Sequence, residues 1–533
     1  GIYFYSKLLI SVYSNYINYF FGRLMVKEKL LTKSLYLRGL QCEKSLWLKI
    51  NNSDVLEDED NAISQIFETG RKVGALACNL FPNGKRISFE DTVRDQRIAL
   101  TKQWIVDGVS TIYEATFEFD GVLVMVDILN RDSDGNFEIY EVKSSSWNSK
   151  KKLKDIDTYI KDVSIQYYVL NGCGLNISKA AVTLLNGDYI RGDELDINDL
   201  FIHQIVTDEA ISLQDRIPDT LESLRETLNQ QEIEPDIDIG WHCKKPYKCD
   251  ASEYCWRVQR QIPEYSVFNI FPLTKKSKAL ELYHQGIVNI DEIPESFQLT
   301  DKQQLDVDAS KSTIDKKPQI NRDKLALFLS SLSYPFYYLD FETFQQPIPE
   351  FKGISPFQQI PFQYSVHIEQ NNQTLEHKEF LGKEGSDPRE QLVKQLIKDI
   401  PMNATILAFN ASFEQMVLKG LSKQFAQYED HLLSISENII DVAIPFQKRY
   451  YYLPQMKGRH SIKIVLPLLV PEMAEAYKEL DLVHDGSEAM QAFVILGEIE
   501  DPEKIMRIRK SLIEYCRLDT LAMFKILEKL KLV

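Results

Sequence analysis

The run YYLDFETF at residues 337–344 constrains the fold of this chain more than any other stretch. Its aromatic and apolar residues predict a buried strand, where a charge without a partner is costly. It nevertheless contains Asp340 and Glu342, which share one face because they are two residues apart on a strand. Neighbouring carboxylates repel unless a cation separates them, and their oxygens suit Mg²⁺ and Mn²⁺. The alternative is a frayed strand end whose acids face water.

A second candidate site is predicted from residues 115–143, ATFEFDGVLVMVDILNRDSDGNFEIYEVK. Two Asp-Gly pairs are typical of tight hairpin turns and divide this segment into three antiparallel strands. A second turn centred on Asp134 places Asp127 directly opposite Glu141, and Lys143 shares the face of Glu141. Two carboxylates and a lysine at one spot suit metal-assisted hydrolysis of phosphodiester bonds. The alternative is a solvated ion pair on an exposed sheet face.

The segment DVSIQYYVL (162–170) predicts a helix that carries Gln166. The order D…EVK followed by this helix resembles the PD-(D/E)XK nucleases of the RecB type. The resemblance implies a restriction-endonuclease-like fold in which Asp127 and Glu141 hold Mg²⁺ or Mn²⁺. It further implies that Lys143 is the catalytic lysine and that Gln166 belongs to the sequence motif on the helix that follows.

Nucleases of this type usually carry a histidine on an upstream helix. The matching stretch here, FETGRKVGALA, has Gly74 at about that position, so one ligand departs from the pattern. Glu68 and Glu114 are the two alternatives that the sequence offers in its place.

Three closely spaced cysteines, Cys243, Cys249 and Cys255, end the first half of the chain, and Cys42 lies near its beginning. Seven cysteines in 533 residues do not indicate a disulfide scaffold, so these four are predicted to be metal ligands. Their arrangement resembles RecB-like nucleases with an iron–sulfur staple, including the CRISPR-associated exonuclease of that type and the AddB nuclease domain. The resemblance implies a [4Fe–4S] cluster that clamps the ends of the domain, with Zn²⁺ as the alternative. The other cysteines are expected to be small core residues: Cys78, Cys173 and Cys516.

In the last third of the chain, strand patterns at 361–368 and 377–382 follow the first strand, and then come a helix and a further strand. The next helix begins near Glu414, where the helix dipole favours an acid. The final helix contains EYCRLDTLAMF, in which Tyr515 and Asp519 are four residues apart and share a face.

This order of elements and motifs resembles the RNase H-like (DnaQ-like) fold of DEDD exonucleases of the tyrosine type. The resemblance implies that Tyr515 orients the attacking water and that four acids hold two divalent ions. Those acids are Asp340, Glu342, Glu414 and Asp519. Glu414 stands where the family usually has Asp, and Asp441 is the alternative third acid.

The segment at 445–463 interleaves basic residues with three tyrosines: Lys448, Arg449, Lys457, Arg459, Lys463, Tyr450, Tyr451 and Tyr452. Basic groups bind phosphates, and aromatic rings stack on unpaired bases. Because the net charge is −16, nucleic acid would have to be bound by local patches such as this one. The alternative is a surface loop with a tucked aromatic cluster.

The chain is therefore predicted to be α/β and to have four parts: an upstream-translated or non-native extension (1–24), a RecB-like PD-(D/E)XK domain with the Fe–S cysteines (25–262), a helical connector (263–325) and a DEDD-type RNase H-like exonuclease domain (326–533). A membrane-surface anchor is the alternative for the extension, which is short for a membrane span. We expect a cytoplasmic protein without integral membrane contact.

Residues 25–533 as a whole resemble a bacterial family with a domain of unknown function, whose members look like a RecB-type nuclease fused to a DEDD-like domain. The resemblance implies a nuclease with two hydrolytic sites that acts on DNA, as single strands or ends, in repair, recombination or phage defence. The alternatives are an RNA-processing 3′-5′ exonuclease and a non-catalytic nucleic-acid-binding protein with a zinc or iron–sulfur structural site.

Overall fold

The computed structural model describes residues 30–58, 61–311 and 317–533, and residues 61–65 by backbone alone. The chain forms two compact units: the first contains residues up to Tyr189 together with Leu195–Gln261, and the second contains Ile190–Glu194 together with Ile262–Val533. Each unit combines helices with a curled sheet, which confirms the α/β class. The extension predicted at 1–24 lies outside the described residues. Among those described, no helix has the length and apolar character that a membrane span requires.

Within its described residues the first unit has seven strands and eight α-helices. The strands are β1 (Leu31–Thr32), β2 (Lys85–Arg86), β3 (Thr111–Phe119), β4 (Val122–Arg131), β5 (Phe137–Trp147), β6 (Ile177–Asn186) and β7 (Phe201–Ile205). The helices are α1 (Lys33–Gln41), α2 (Glu43–Asn51), α3 (Asn61–Ala77), α4 (Arg94–Val106), α5 (Asp157–Gly172), α6 (Ile197–Leu200), α7 (Thr207–Ser212) and α8 (Ile217–Asn229).

The predicted antiparallel meander is present as β3, β4 and β5. Its first turn is made by Asp120 and Gly121, which both have positive φ angles, +49° and +64°, as a two-residue hairpin turn requires. The ladder between β4 and β5 pairs Ile128 with Tyr140. The next positions along the two strands are therefore Asp127 and Glu141, as the count from the turn predicts.

The strands β4 and β5 separate just beyond this pair. Their ladder covers only residues 128–131 and 137–140, and β5 continues along β6 instead. Strand β1 pairs in parallel with Val122 and Leu123 at the other half of β4. Because Lys33 directly follows β1, the start of α1 lies at the fork between the two diverging strands.

Within its described residues the second unit has seven strands and twelve α-helices. The strands are β8 (Gln319–Ile320), β9 (Phe336–Phe344), β10 (Ile360–Glu369), β11 (Leu375–Leu381), β12 (Thr405–Ala408), β13 (Ile439–Asp441) and β14 (Tyr451–Tyr452). The helices are α9 (Val267–Ile270), α10 (Lys278–His284), α11 (Asp301–Lys311), α12 (Arg322–Ser330), α13 (Arg389–Asp399), α14 (Ser412–Gln424), α15 (Glu429–Glu437), α16 (Ile444–Gln447), α17 (Ile462–Leu469), α18 (Pro471–Lys478), α19 (Gly486–Leu496) and α20 (Pro502–Lys531).

The main sheet of the second unit has the order β11-β10-β9-β12-β13, with the first three strands antiparallel and the last two parallel to β9. On β9, Tyr337 and Leu339 face an apolar cluster built with α13, α14 and α15. Tyr338 and Phe344 face the opposite side, where α20 packs. The two positions between them on this second side, 340 and 342, are the acids of the YYLDFETF run.

The interpretation of 445–463 as an exposed nucleic-acid patch is wrong for its central residues. Tyr451 and Tyr452 are buried and form β14, which pairs with β8. The Arg449 guanidinium is also buried, with its Nη2 3.0 Å from Oδ1 of Asp306 and its Cζ 4.4 Å from the centre of the Tyr452 ring. The alternative, a tucked aromatic cluster, describes this segment better. The two tyrosine rings are buried, and the Arg449 guanidinium is paired with Asp306, so neither is available to a nucleic acid. The basic residues that remain exposed are Lys448, Arg459 and Lys463.

Candidate metal centres

The second unit brings the four predicted acids together from three elements. Asp340 and Glu342 project from β9, Glu414 lies in the first turn of α14, and Asp519 lies on α20. Burial raises the pKa of Asp340 well above its usual value, and the negative charges of Asp519, Glu342 and Glu414 raise it further. The pKa of Glu342 is raised by burial and then by Asp519 and Glu414. The charges of Asp519 and Glu414 therefore act on both acids of β9, as expected of a shared cation site.

Glu414 is a buried acid with one carboxylate oxygen that accepts no hydrogen bond from the described part of the chain. Its side chain is 3% exposed, and its Oε2 atom has no hydrogen-bond partner among the described residues. Burial, with a smaller contribution from Asp441, raises the pKa of Glu414 to about 8. A buried carboxylate oxygen without a partner is unusual in proteins, and a bound cation would satisfy it.

Asp519 is held by two tyrosines. The hydroxyl of Tyr477 donates a hydrogen bond to its carboxylate, and Tyr515 makes a second one. Burial raises the pKa of Asp519 to about 6, while these two hydrogen bonds and the charge of Lys463 act in the opposite direction. Sequence reasoning found Tyr515 but missed Tyr477, because Tyr477 lies on a different helix, α18, and no local spacing connects it to Asp519.

Cys516 is a second residue whose place the sequence did not reveal. It is fully buried, as expected of a core cysteine, but its Sγ atom lies 3.7 Å from Oδ2 of Asp340. Asp340, Glu342 and Cys516 present ligand atoms within 4.8 Å of one another. The interpretation of Cys516 as an ordinary core residue was therefore incomplete. Its position one turn before Asp519 on α20 is the signal that could have indicated it.

Asp441, the alternative third acid, serves the backbone around it. Its Oδ1 accepts hydrogen bonds from the amides of Asn410, at 3.0 Å, and Ala443, at 2.8 Å. These bonds fix the turns that follow β12 and β13. Of the two candidates, Glu414 is the one whose charge acts on Asp340 and Glu342.

In the first unit, Glu141 is the centre of the predicted site. It is 2% exposed, and its Oε1 accepts hydrogen bonds from Lys33, at 2.8 Å, and Lys143, at 2.7 Å. Its Oε2 accepts from Nε2 of Gln166 at 2.8 Å. Burial alone would raise the pKa of Glu141, but the charges of Lys143 and Lys33 hold this pKa well below its usual range.

Asp162 is an additional acid of this site that sequence reasoning missed. Its carboxylate lies 2.7 Å from Nζ of Lys143 and 3.1 Å from Nζ of Lys33, and it accepts from Gln166 at 3.0 Å. The spacing of Asp162 and Gln166, four apart on the predicted helix, was an available signal. Lys33 had none, because only the pairing of β1 with β4 brings it to the fork.

Asp127 completes the group on the β4 side. Its Oδ2 accepts a 2.7 Å hydrogen bond from the amide of Val142. Burial and the charge of Glu141 raise the pKa of Asp127 to about 8, against the lowering influence of Lys33 and Lys143. The structure thus brings together all four residues predicted for this site.

The position of the expected histidine is open. A Cβ atom at Gly74 would meet nothing within 4 Å. Glu68 is exposed on α3 and pairs with Lys72 at 3.0 Å. Glu114 instead interrupts β3 with a φ of +60° and is close enough for its charge to raise the pKa of Asp127. Such a backbone conformation is strained for glutamate. Of the two alternatives, Glu114 is the one whose charge acts on Asp127, although its Oε1 accepts from Arg86 at 3.4 Å.

The four predicted cysteines line one pocket, together with His242. Cys42 lies between α1 and α2, and the amide of Gly240 donates to Sγ of Cys243 at 3.4 Å. Burial raises the pKa of Cys255 to about 12, and the other three cysteines add to this shift. The thiols are thus close to one another, although Cys42 is distant in sequence from the rest.

The spacing of these thiols bears on what they could hold. In the described part of the chain, the only set of three or more potential ligand atoms within 4.8 Å is the one in the second unit. A tetrahedral zinc site with Zn–S bonds of about 2.3 Å needs sulfur atoms about 3.8 Å apart. In the described structure, no three of the four thiols lie within 4.8 Å of one another.

Comparison with known proteins finds uncharacterised relatives. The family described as a domain of unknown function (DUF2779) matches residues 337–461, a span that includes three of the four acids in the second unit. An uncharacterised protein of Ureaplasma parvum serovar 3 is 28% identical over 159 residues, which cover 28% of this chain and 23% of that protein. The chain thus spans about a quarter of that relative's length. No solved structure matches. The expected likeness to a family with a domain of unknown function is confirmed for 337–461.

Proposed function

We propose that the protein is a metal-dependent nuclease that hydrolyses phosphodiester bonds in DNA and carries one hydrolytic site in each unit. The observation that carries the proposal is the acid cluster of the second unit, with the unpartnered Oε2 of Glu414 inside it. Mutual repulsion and burial oppose the ionised forms of these acids, so a divalent cation is the partner that the donor set fits.

In the second unit the residues that would hold Mg²⁺ or Mn²⁺ are Asp340, Glu342, Glu414 and Asp519. Bound divalent ions would activate a water molecule and neutralise the charge that develops on the phosphate. The chain's own contribution is positioning: Tyr477 and Tyr515 fix the carboxylate of Asp519. The hydroxyl of Tyr515 can also orient a water molecule beside this carboxylate.

The arrangement of strands supports the finer fold assignment for the second unit. Three antiparallel strands followed by two parallel ones, with acids on the central strand and on the last helix, are as expected for an RNase H-like exonuclease domain. For the first unit, the meander and the following helix α5 support a restriction-endonuclease-like fold.

In the first unit the donor set contains the expected acids, but the ion does not fit the present arrangement. Both oxygens of Glu141 already accept hydrogen bonds. Oε1 accepts from the ammonium groups of Lys33 and Lys143, and Oε2 accepts from Gln166. We therefore derive no step through a metal there. Lys143 would place a positive charge beside a bound phosphate and offset the charge that develops during hydrolysis.

The four cysteines would hold a [4Fe–4S] cluster with a structural role. Four thiols that line one pocket suit such a cluster, and Zn²⁺ is the alternative. Such a cluster would join the segment between α1 and α2 to residues 243–255. The ion pair of Arg38 and Asp250, with bonds of 2.8 and 2.7 Å, connects the same two regions.

The experiment that tests the proposal is a nuclease assay on single- and double-stranded DNA labelled at either end, with sequence-matched RNA alongside. We expect cleavage that requires Mg²⁺ or Mn²⁺ and that falls at least a hundredfold in Asp340→Asn. The variant Asp127→Asn measures the contribution of the first site to cleavage. Activity on DNA would support a role in repair, recombination or phage defence. Faster cleavage of RNA would favour an RNA-processing exonuclease. Binding of DNA without cleavage in any metal would favour a non-catalytic binding protein.

A further inference from the structure

We propose that Lys33 is a built-in counter-cation that keeps divalent ions out of the first unit's acid site, so that metal enters only when the Lys33 side chain withdraws. This inference rests on the proposed function, because it concerns the metal requirement of one of the two hydrolytic sites.

The contacts of Lys33 carry the argument. Its ammonium group lies 2.8 Å from Oε1 of Glu141 and 3.1 Å from Oδ1 of Asp162. Lys143 bridges the same two carboxylates, at 2.7 Å from each. Two ammonium groups and two carboxylates therefore form one compact, electrically balanced group. A divalent ion at Oε1 of Glu141 would have to displace one of these ammonium groups, and Oε2 already accepts a hydrogen bond from Gln166.

Of the two lysines, Lys33 is the one that can leave. Lys143 makes the shorter contacts to both carboxylates, 2.7 Å each, and its Nζ lies 5.4 Å from the centre of the Tyr159 ring. Lys33 is the first residue of α1 and follows β1, a strand of two residues that pairs only with Val122 and Leu123. Its side chain is 22% exposed, close to the 24% of Lys143, and a rotation toward solvent would remove one of the two ammonium donors to Oε1 of Glu141 without moving the sheet.

The second unit provides the contrast within the same chain. Burial and neighbouring acids raise the pKa values of Asp340 and Glu342, and in the described part of the chain no ammonium group is a main cause of either shift. Oε2 of Glu414 has no donor among the described residues. That cluster needs a cation from outside, whereas the first site contains its own. Glu114, whose charge acts on Asp127, carries a second oxygen beside the one that accepts from Arg86 at 3.4 Å, and this oxygen could join an ion that replaces Lys33.

The test is the number and affinity of bound Mn²⁺ ions, measured by electron paramagnetic resonance on the full-length protein. We expect Lys33→Met to bind one more Mn²⁺ per chain than the wild type, with at least tenfold higher affinity at this site, and to lose it again when combined with Asp127→Asn. Lys33→Arg keeps the positive charge and should bind as the wild type does. Lys179→Met is the matched control, because Lys179 pairs with Glu138 at the other end of β5.

The inference is overturned if Lys33→Met binds Mn²⁺ as the wild type does while Asp127→Asn alone removes an ion from the wild type. Failure of the proposed function has a different signature: the wild type would bind no Mn²⁺ that Asp340→Asn removes. If Lys33→Met does not fold, Lys33→Gln carries the same expectation, since it also removes the charge.

Discussion

The thiol of Cys516 lies 3.7 Å from Oδ2 of Asp340, where α20 crosses the acid-bearing face of β9. This contact sets the distance between the strand that supplies two acids and the helix that supplies Asp519. The side chain at position 516 must therefore be small for the four acids to meet.

Enlarging this side chain should separate the acids. We expect Cys516→Leu to weaken Mn²⁺ binding in the second unit by about 5- to 150-fold, because overpacking costs about 1–3 kcal/mol. Cys516→Ala, which removes the sulfur but adds no volume, is the matched control and should retain binding within a few fold. Isothermal titration with Mn²⁺ measures both, and equal affinities for the two variants would contradict the packing argument.

Removing the charge of Glu414 should have opposite effects with and without metal. At pH 8, Glu414→Gln removes a buried carboxylate that repels its neighbours, so the melting temperature of the metal-free protein should rise by a few degrees. The same variant loses an oxygen ligand, and its Mn²⁺ affinity should fall at least tenfold. Glu437→Gln, at the end of α15, is the control. Calorimetry in chelator and in Mn²⁺ reports both effects, and a lower melting temperature in chelator would refute this account.

In the first unit, loss of Glu141 should be far more damaging than loss of Asp127. Glu141→Gln leaves two ammonium groups with Asp162 as their one directly bonded carboxylate, which should cost about 3 kcal/mol in the free energy of unfolding. Asp127→Asn should stay within about 1 kcal/mol of the wild type, since the amide oxygen can still accept from Val142. Urea denaturation followed by fluorescence measures the difference. Equal losses in the two variants would contradict the lysine-centred arrangement.

The cysteine pocket leads to a spectroscopic prediction. Protein purified without oxygen should be brown and contain about four irons per chain, and Cys249→Ala should bleach it and destabilise the first unit. Cys173→Ala is the control, because Cys173 lies in the same unit but outside the pocket. Colourless wild-type protein with one zinc per chain would identify the alternative metal, and unchanged colour and melting in Cys249→Ala would refute the structural role.

Two histidines of the second unit, His367 (buried) and His377 (partly buried), predict a pH dependence of stability. Burial, with the charges of His377 and Arg517, lowers the pKa of His367 to about 3, and burial and Arg517 lower that of His377 to about 4. Unfolded histidine has a pKa of about 6.5, so the unfolded chain gains protons first as the pH falls. Each histidine then reduces stability by up to about 1.4 kcal/mol per pH unit, between pH 6.5 and the lowered pKa.

The variant His367→Gln isolates this effect from the acids, which titrate in the same protein. It should be less stable than the wild type at pH 7.5, because it loses a hydrogen bond to Thr520, and its stability should fall less steeply between pH 6.5 and 4. His284→Gln, on the surface of α10, should leave the slope unchanged. Melting temperatures of the second unit across this range decide the matter, and a slope equal to that of the wild type would contradict it.

The sequence predicted the parts of both sites that depend on local geometry. Asp-Gly turns fix the register of a hairpin, so counting from Asp134 was enough to place Asp127 opposite Glu141. Similarly, the alternation of β9 and the four-residue spacing on α20 placed three acids of the second unit on the correct faces.

The sequence did not predict contacts made across long stretches of chain. Lys33 reaches its site through the pairing of β1 with β4, and Tyr477 reaches Asp519 through the packing of α18 on α20. The basic segment was misjudged for the same reason, since Asp306 lies far from Arg449 in sequence and converts a supposed phosphate ligand into a buried ion pair. Composition and spacing carry no information on such partners.

Asp340 and Glu342 interrupt an apolar face of β9, and burying their carboxylates lowers the stability of the second unit. Leucine or isoleucine at positions 340 and 342 would join the apolar clusters on either side and strengthen the fold. A redesign that optimised thermal resistance alone would thus begin by removing the acids on which the proposed metal site depends.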